Sequence, residues 1–272
     1  MLRQRIITAV LLGVGLLVVL LWLPAAVAIG VFALIVLVGA WEWSAFPGFR
    51  LSAARFVYVA AVAATMALAW RLTLEDGRLE TLLWIAGAWW LIAFLWVTLA
   101  PAAQSRVLIA TSGLLVLVPA WVALGHLYLA PAQDMAVSGP QLVLFLLLLV
   151  WAADIGAFFA GRNFGRLKLA PRVSPAKTWE GVLGGLGAAA LVAAAGAQWF
   201  DLPRVAFLSL CLGVALISVV GDLTESMFKR HAGLKDSGAV FPGHGGVLDR
   251  IDSVTAAAPI FLLGVRWLGS PA

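Results

Sequence analysis

The sequence predicts an all-α, polytopic integral membrane protein with about nine transmembrane helices, and three observations predict it. First, 63% of the 272 residues are apolar and 11% are charged, against roughly 25% charged in soluble domains. The mean hydropathy is +1.04, and a water-soluble core of this size cannot hide so much apolar surface. Second, nine segments approach the ~20 apolar residues that a membrane helix needs: 6–23, 25–46, 55–72, 80–100, 106–129, 141–161, 179–199, 204–227 and 251–268. Third, with the N-terminus placed in the cytoplasm, 14 of the 18 Lys and Arg residues fall on the cytoplasmic side, and only Arg71, Arg78, Arg204 and Arg266 fall outside. This is the positive-inside pattern, and a wrong number of spans would scramble it. The same rule explains the sequence pI near 10.0 better than a nucleic-acid partner does, so none is expected.

Each segment has its own reading. The stretch 6–23 follows a basic start, Arg3 and Arg5, and an A-x-A sequence ends at Ala28. Its apolar part is longer than the core of a signal peptide, and a second apolar run follows at once, so it reads as a retained first helix. Pro24 separates the two, because proline biases the residue before it away from helix. Glu42, in Trp-Glu-Trp-Ser, falls near the cytoplasmic interface beside an aromatic belt. Glu75, Asp76 and Glu80 form a short external loop with a solvated surface. His126 reads as a packed or interfacial histidine, and the Trp residues as interfacial anchors and packing groups. Cys211 stands alone inside an apolar run and has no intramolecular disulfide partner. On this reading 1–140 supplies about five scaffold and lipid-facing helices. Residues 141–272 supply about four more, with catalytic loops at 162–178 and 228–250.

After residue 150 acids, bases and glycines accumulate. Asp154 lies in or near the sixth span, where an ionisable side chain is costly and points to function; a helix end in water is the alternative. In Ser-Pro-Ala-Lys-Thr-Trp-Glu-Gly, Ser174 and Pro175 favour a turn and Thr178 can cap the seventh helix. Lys177 then stands at a helix N-terminus, a natural anion site, although the positive-inside rule also explains a lysine there. Glu180 is either a first-turn dipole partner or a site acid. Gly181 and Gly185 are four apart, the spacing that lets helix backbones approach closely. Asp222, Glu225, Ser226 and Lys229 share one helix face.

The stretch "SMFKRHAGLKDSGAVFPGHGGVLDRID" then brings Lys235 and Asp236, three glycines and a proline around His244, and Asp249, Arg250 and Asp252 at the start of the ninth helix. Carboxylates suit Mg2+, which takes few protein oxygens together with waters and phosphates. Bases and glycine backbone suit phosphate oxygens. Neither a Cys/His zinc pattern nor a P-loop is present, and the composition points to metal-assisted phosphoryl or nucleotidyl transfer.

These residues closely resemble the pattern of the phosphatidate cytidylyltransferase (CDP-diacylglycerol synthase) family: Ser-x-x-Lys-Arg, four residues, Lys-Asp, then Pro-Gly-His-Gly-Gly and Asp-Arg-x-Asp. The elements stand here as Ser226, Lys229, Arg230, Lys235, Asp236, Pro242, Gly243, His244, Gly245, Gly246, Asp249, Arg250 and Asp252. "SPAKTWEG" and "GRNFG" also look like family segments, so the resemblance covers about 150–252 specifically. It implies transfer of CMP from CTP to phosphatidic acid, giving CDP-diacylglycerol and pyrophosphate in phospholipid biosynthesis. It implies Mg2+ and a second, monovalent cation such as K+, a homodimer, and the inner (plasma) membrane of a bacterium. Asp222 and Asp249 are the implied metal ligands, with Asp236 and Asp252 as further acids. Lys177, Lys229, Arg230 and Lys235 would contact phosphates, with Ser174 and Arg250 beside them. Gly243, Gly245 and Gly246 would shape the nucleotide pocket, and His244 is either an acid–base group or a positioning one.

Rival readings predict other patterns. A transporter or channel would spread its acids through the membrane depth, whereas these concentrate at the cytoplasmic ends of the last four spans. A CDP-alcohol phosphotransferase would carry D-G-x-x-A-R…G-x-x-x-D-x-x-x-D, which is absent. A related polyprenol kinase or nucleotidyltransferase is the third alternative. The charge split makes its own prediction: cysteines introduced near Asp76 and near Asp134 should react with an impermeant maleimide from outside intact cells, and protection of both until lysis would invert the topology.

Overall fold

The computed structural model describes residues 2–75, 77–102, 105–130, 137–200, 202–240 and 245–269. Over these residues the chain forms nine helices and one hairpin: α1 (Leu2–Leu21), α2 (Ala25–Trp43), α3 (Ser52–Thr73), α4 (Arg78–Leu99), α5 (Arg106–Tyr128), α6 (Gly139–Phe164), β1 (Lys168–Ala170), β2 (Ser174–Thr178), α7 (Trp179–Gly196), α8 (Arg204–His231) and α9 (Leu248–Gly269). Helices α2 to α9 are each long and apolar enough to cross a membrane, and α1 carries the apolar stretch Val10–Leu21. All nine expected segments are therefore helical.

The boundaries differ from the expected ones where polar groups are satisfied inside the fold. Helix α8 continues to His231 because Phe228 and Lys229 in its last turns are buried; charge alone does not end a helix whose charges have partners. Helix α9 begins at Leu248, three residues early, because a side chain from another helix accepts its first N–H groups. The expected loop 228–250 thus shortens to 232–247. Helix α2 stops at Trp43. There Arg55 donates to the carbonyl of Trp41 (2.6 Å) and to Ser44 Oγ (2.8 Å), and its guanidinium lies 4.1 Å from the centre of the Trp41 ring. Within 162–178 the chain is not open loop. Strands β1 and β2 pair antiparallel, with Lys168 opposite Thr178 and Ala170 opposite Ser174.

Small residues set the closest packing. A Cβ on Gly181 would press on the carbonyl of Ala157, one on Gly184 on Ala160, and one on Gly185 on the carbonyl of Ala153. The backbones of α6 and α7 therefore approach as the Gly181/Gly185 spacing predicts. His126 is a packing residue: Nε2 lies 3.1 Å from Thr73 Oγ1 and the ring 5.0 Å from that of Trp70. Cys211 is buried. Glu75 pairs with Arg78 on the surface (2.9 Å), as expected of a solvated loop; Asp76 and Asp134 lie outside the described residues. Leu34, Phe56, Leu91 and Leu191 are exposed on outer faces, which suits a lipid environment.

Aromatic rings lock together the ends that build the site. Phe228 of α8 packs against Trp43 of α2 (5.4 Å between centroids) and Trp96 of α4 (5.6 Å), and Trp43 Nε1 donates to the carbonyl of Ile109 in α5 (2.9 Å). The C-terminal ends of α2, α4 and α8 thereby meet on one side of the bundle.

Candidate active site

Two ion pairs organise this end of the bundle. Strand β2 delivers Lys177 immediately before α7, whose N-terminus Thr178 caps by accepting from Gly181 N (3.1 Å). Lys177 Nζ reaches Asp222 Oδ2 of α8 at 2.5 Å, while Ser226 donates to Asp222 Oδ1 at 3.3 Å. Glu180 accepts from Leu167 N through both oxygens (3.2 Å each), so it clasps the hairpin to the first turn of α7 rather than facing Asp222. Two turns along α8 from Asp222, the buried Lys229 contacts Glu225 Oε2 (2.9 Å) and Asp249 Oδ1 (2.6 Å). Lys229 therefore ties the C-terminal end of α8 to the first turn of α9.

Asp249 is the most fully engaged acid. Besides Lys229, its Oδ2 accepts from Ser237 N (2.9 Å), Ser237 Oγ (2.9 Å) and Gly246 N (2.8 Å). Ser237 Oγ also lies 3.1 Å from Glu42 Oε2; with one hydroxyl proton it donates to one carboxylate at a time. Glu42 is 3% exposed and accepts from Val247 N (3.1 Å) and Leu248 N (2.7 Å). Those are the first N–H groups of α9, which no carbonyl within the helix can satisfy, and an anion there also suits the helix dipole.

The glycines serve this arrangement. Gly245 has φ +80°, in the left-handed region that favours glycine, and a Cβ there would press on Asp249. A Cβ on Gly246 would meet Ser237 Oγ and both oxygens of Glu42, and one on Gly238 would meet Glu42. Gly243 and His244 lie outside the described residues.

The remaining acids converge on the same end. Asp154 of α6 interacts electrostatically with Asp252, Asp222 and Lys177. Asp252 and Glu225 lie within hydrogen-bonding reach of each other, and Glu225 Oε1 is buried with no donor. Lys235, Asp236 and Arg250 are exposed at the rim, and Ser174 is half-buried in β2. Arg230 is exposed and donates to the carbonyl of Leu234 (3.3 Å).

The arrangement sets paired lysines and carboxylates, with free rim bases, at one end of an otherwise apolar bundle. Lysines and arginines in such a cluster have the charge to meet phosphate oxygens. Residues 3–268 match the model of the Cytidylyltransferase family. The chain belongs to that family. A phosphatidate cytidylyltransferase of Pseudomonas aeruginosa is 44% identical to it, with all of each chain covered. One of Haemophilus influenzae is 40% identical over 96% of this chain and 97% of its own. A third, of Synechocystis, is 49% identical over 113 residues, covering 41% of this chain and 38% of its own.

Sequence reasoning about this cytidylyltransferase missed Glu42 and Ser237. An acid at the end of an apolar run between two tryptophans was the available signal for Glu42, but nothing local pairs it with a serine 195 positions away. The geometry predicts the cost of removing the central cation. In Lys229→Gln, Glu225 and Asp249 lose their buried partner, a change of a kind that typically costs about 3–5 kcal/mol. The variant should lose most of its folded fraction in a detergent thermal-unfolding series, and a melting point equal to the parent's would show that Lys229 is not a structural tie.

Proposed function

We propose that the chain transfers CMP from CTP to phosphatidic acid, releasing pyrophosphate and forming CDP-diacylglycerol. The observation that carries this is the meeting of Lys177–Asp222 with Lys229–Asp249 at one end of a membrane bundle, within a family whose full-length relatives bear that activity in their names. An oxygen of the lipid phosphate attacks the α-phosphorus of CTP. The bond to the β-phosphate bridging oxygen breaks, and pyrophosphate leaves with the electron pair. No side-chain nucleophile is needed. Lys177 stands at the N-terminus of α7, where it and the helix dipole favour the triphosphate. Lys229 adds a fixed positive charge between α8 and α9, while Lys235 and Arg250 meet the phosphates from the rim. Fixed charges of this kind favour the transition state because they need no reorganisation as charge develops.

Among the described residues no three acids stand together as a ready metal cage, so a hard divalent cation would draw most of its shell from waters and phosphates. Glu225 Oε1 is buried without a donor next to Asp252, and Asp222 Oδ1 has one long hydrogen bond. Asp222 and Asp249 would hold Mg2+, with Asp252 and Asp236 as further oxygen donors and waters and phosphates completing the shell. Mg2+, when bound, supplies charge neutralisation on the α-phosphate and the departing pyrophosphate. The family resemblance also implies a second, monovalent cation such as K+. The positive-inside pattern supports a cytoplasmic N-terminus and a site facing the cytoplasm of a bacterial inner membrane.

The reading is tested with purified protein, phosphatidic acid and CTP labelled at either the α- or the γ-phosphate. Label from the α-position should enter the lipid and label from the γ-position should leave as pyrophosphate; γ-label in the lipid would instead make the protein a kinase. Lys177 separates a phosphate contact from a topology charge. Lys177→Ala should lower turnover by roughly 2–4 kcal/mol of barrier, by analogy with one preorganised donor. Lys177→Arg should also fall short, because a planar fork does not replace a point charge. Wild-type turnover in both would leave Lys177 as a topology charge only.

A further inference from the structure

A second basic feature lies beside the catalytic cluster. A groove of about 550 Å³ opens between the C-terminal end of α4, the turn joining β1 to β2, and the C-terminal end of α8. Its polar lining is Arg172, Arg230 and His231; Leu99, Val173 and Met227 form apolar walls. No carboxylate lines it, and among the described residues neither arginine has an acidic partner within salt-bridge distance. Successive helix residues turn by about 100°, which sets Met227 and His231 on the opposite side of α8 from Asp222, Glu225 and Lys229, with Arg230 at the boundary beside Ser226. None of those four lines the groove, so Arg230, a substrate-phosphate contact by family resemblance, is reassigned here to the groove.

The walls grade from polar to apolar. Arg172, Arg230 and His231 are exposed, Met227 and Val173 are buried, and Leu99 is 77% exposed at the last residue of α4, where a membrane span gives way to its connection. The volume falls within the range of small-ligand pockets. Guanidinium groups without acidic partners match phosphate oxygens by geometry as well as charge, and an apolar wall running down to a helix end matches the start of an acyl chain. We propose that this groove binds the phosphate of one anionic phospholipid, as a site separate from the one that performs nucleotidyl transfer. The proposal goes beyond the catalytic reading and does not depend on it.

The test uses the purified full-length chain in detergent without CTP, with equal amounts of dioctanoyl phosphatidylglycerol and dioctanoyl phosphatidylcholine, read by native mass spectrometry. Phosphatidylglycerol is chosen because it is not the substrate of the proposed reaction. The parent should retain one phosphatidylglycerol in preference to phosphatidylcholine. Arg172→Gln combined with His231→Gln should weaken that retention about tenfold or more, as loss of one charge-assisted contact would. Arg172→Lys should restore part of it, because the charge remains while the planar fork that meets phosphate oxygens is lost. Both altered positions are exposed, so folding should be preserved, and the melting point checks it. Turnover of CTP and phosphatidic acid by the double variant should equal the parent's. Displacement of the lipid by millimolar inorganic phosphate would support a phosphate site filled by free phosphate, and persistence of the lipid would support a headgroup site. Equal retention of the two lipids by the parent, undiminished phosphatidylglycerol retention by the double variant, or loss of its turnover would each overturn the proposal.

Discussion

The structure depends most on one buried carboxylate. Glu42, at the end of α2, accepts the first N–H groups of α9 and meets Ser237. A buried acid without donors would be strongly unfavourable, so the N–H groups and Glu42 satisfy each other's needs. The consequence is geometric. The first turn of α9, which carries Asp249, is fixed against a helix from the other half of the chain, and so is the residue that donates twice to Asp249. The first 140 residues are therefore more than a lipid-facing scaffold, because they position part of the site.

From that anchor the charges assemble in order. Ser237 and Gly246 orient Asp249, Asp249 and Glu225 hold Lys229 between two helices, and Lys177 reaches Asp222 from the hairpin side. Removing one member of such a buried set leaves the others without a partner, which is why these residues act as a unit. The lysines neutralise the acids internally, and substrate phosphates and a divalent cation would compete for the same groups.

Much of this was legible in the sequence, for identifiable reasons. Apolar length gave the nine helices, the small residues at Gly181 and Gly185 gave the close approach of α6 and α7, and Thr178 gave a cap. The spacing of Asp222, Glu225, Ser226 and Lys229 placed one charged face on α8. Helix ends were read too short at His231 and too late at Leu248, because hydropathy counts charge as an end whereas the fold pairs it. The β1–β2 hairpin was missed because its strands are three and five residues long. The glycines were expected to admit nucleotide, yet Gly245 and Gly246 lie against Asp249, Ser237 and Glu42. Glu42 and Ser237 were missed because their link is long-range and has no local pattern.

The most direct test of this account is a double-mutant cycle between the halves, using Glu42→Gln and Ser237→Ala and measuring CTP-dependent turnover per folded protein. Glutamine keeps the shape of Glu42 but presents an amide N–H₂ to N–H groups that need an acceptor. Each single change should lower turnover, and the pair should cost less than their sum, with a coupling of about 0.5–3 kcal/mol, as for contacting residues in one network. Strict additivity, or wild-type turnover in Glu42→Gln, would contradict the claim that the N-terminal half positions the site.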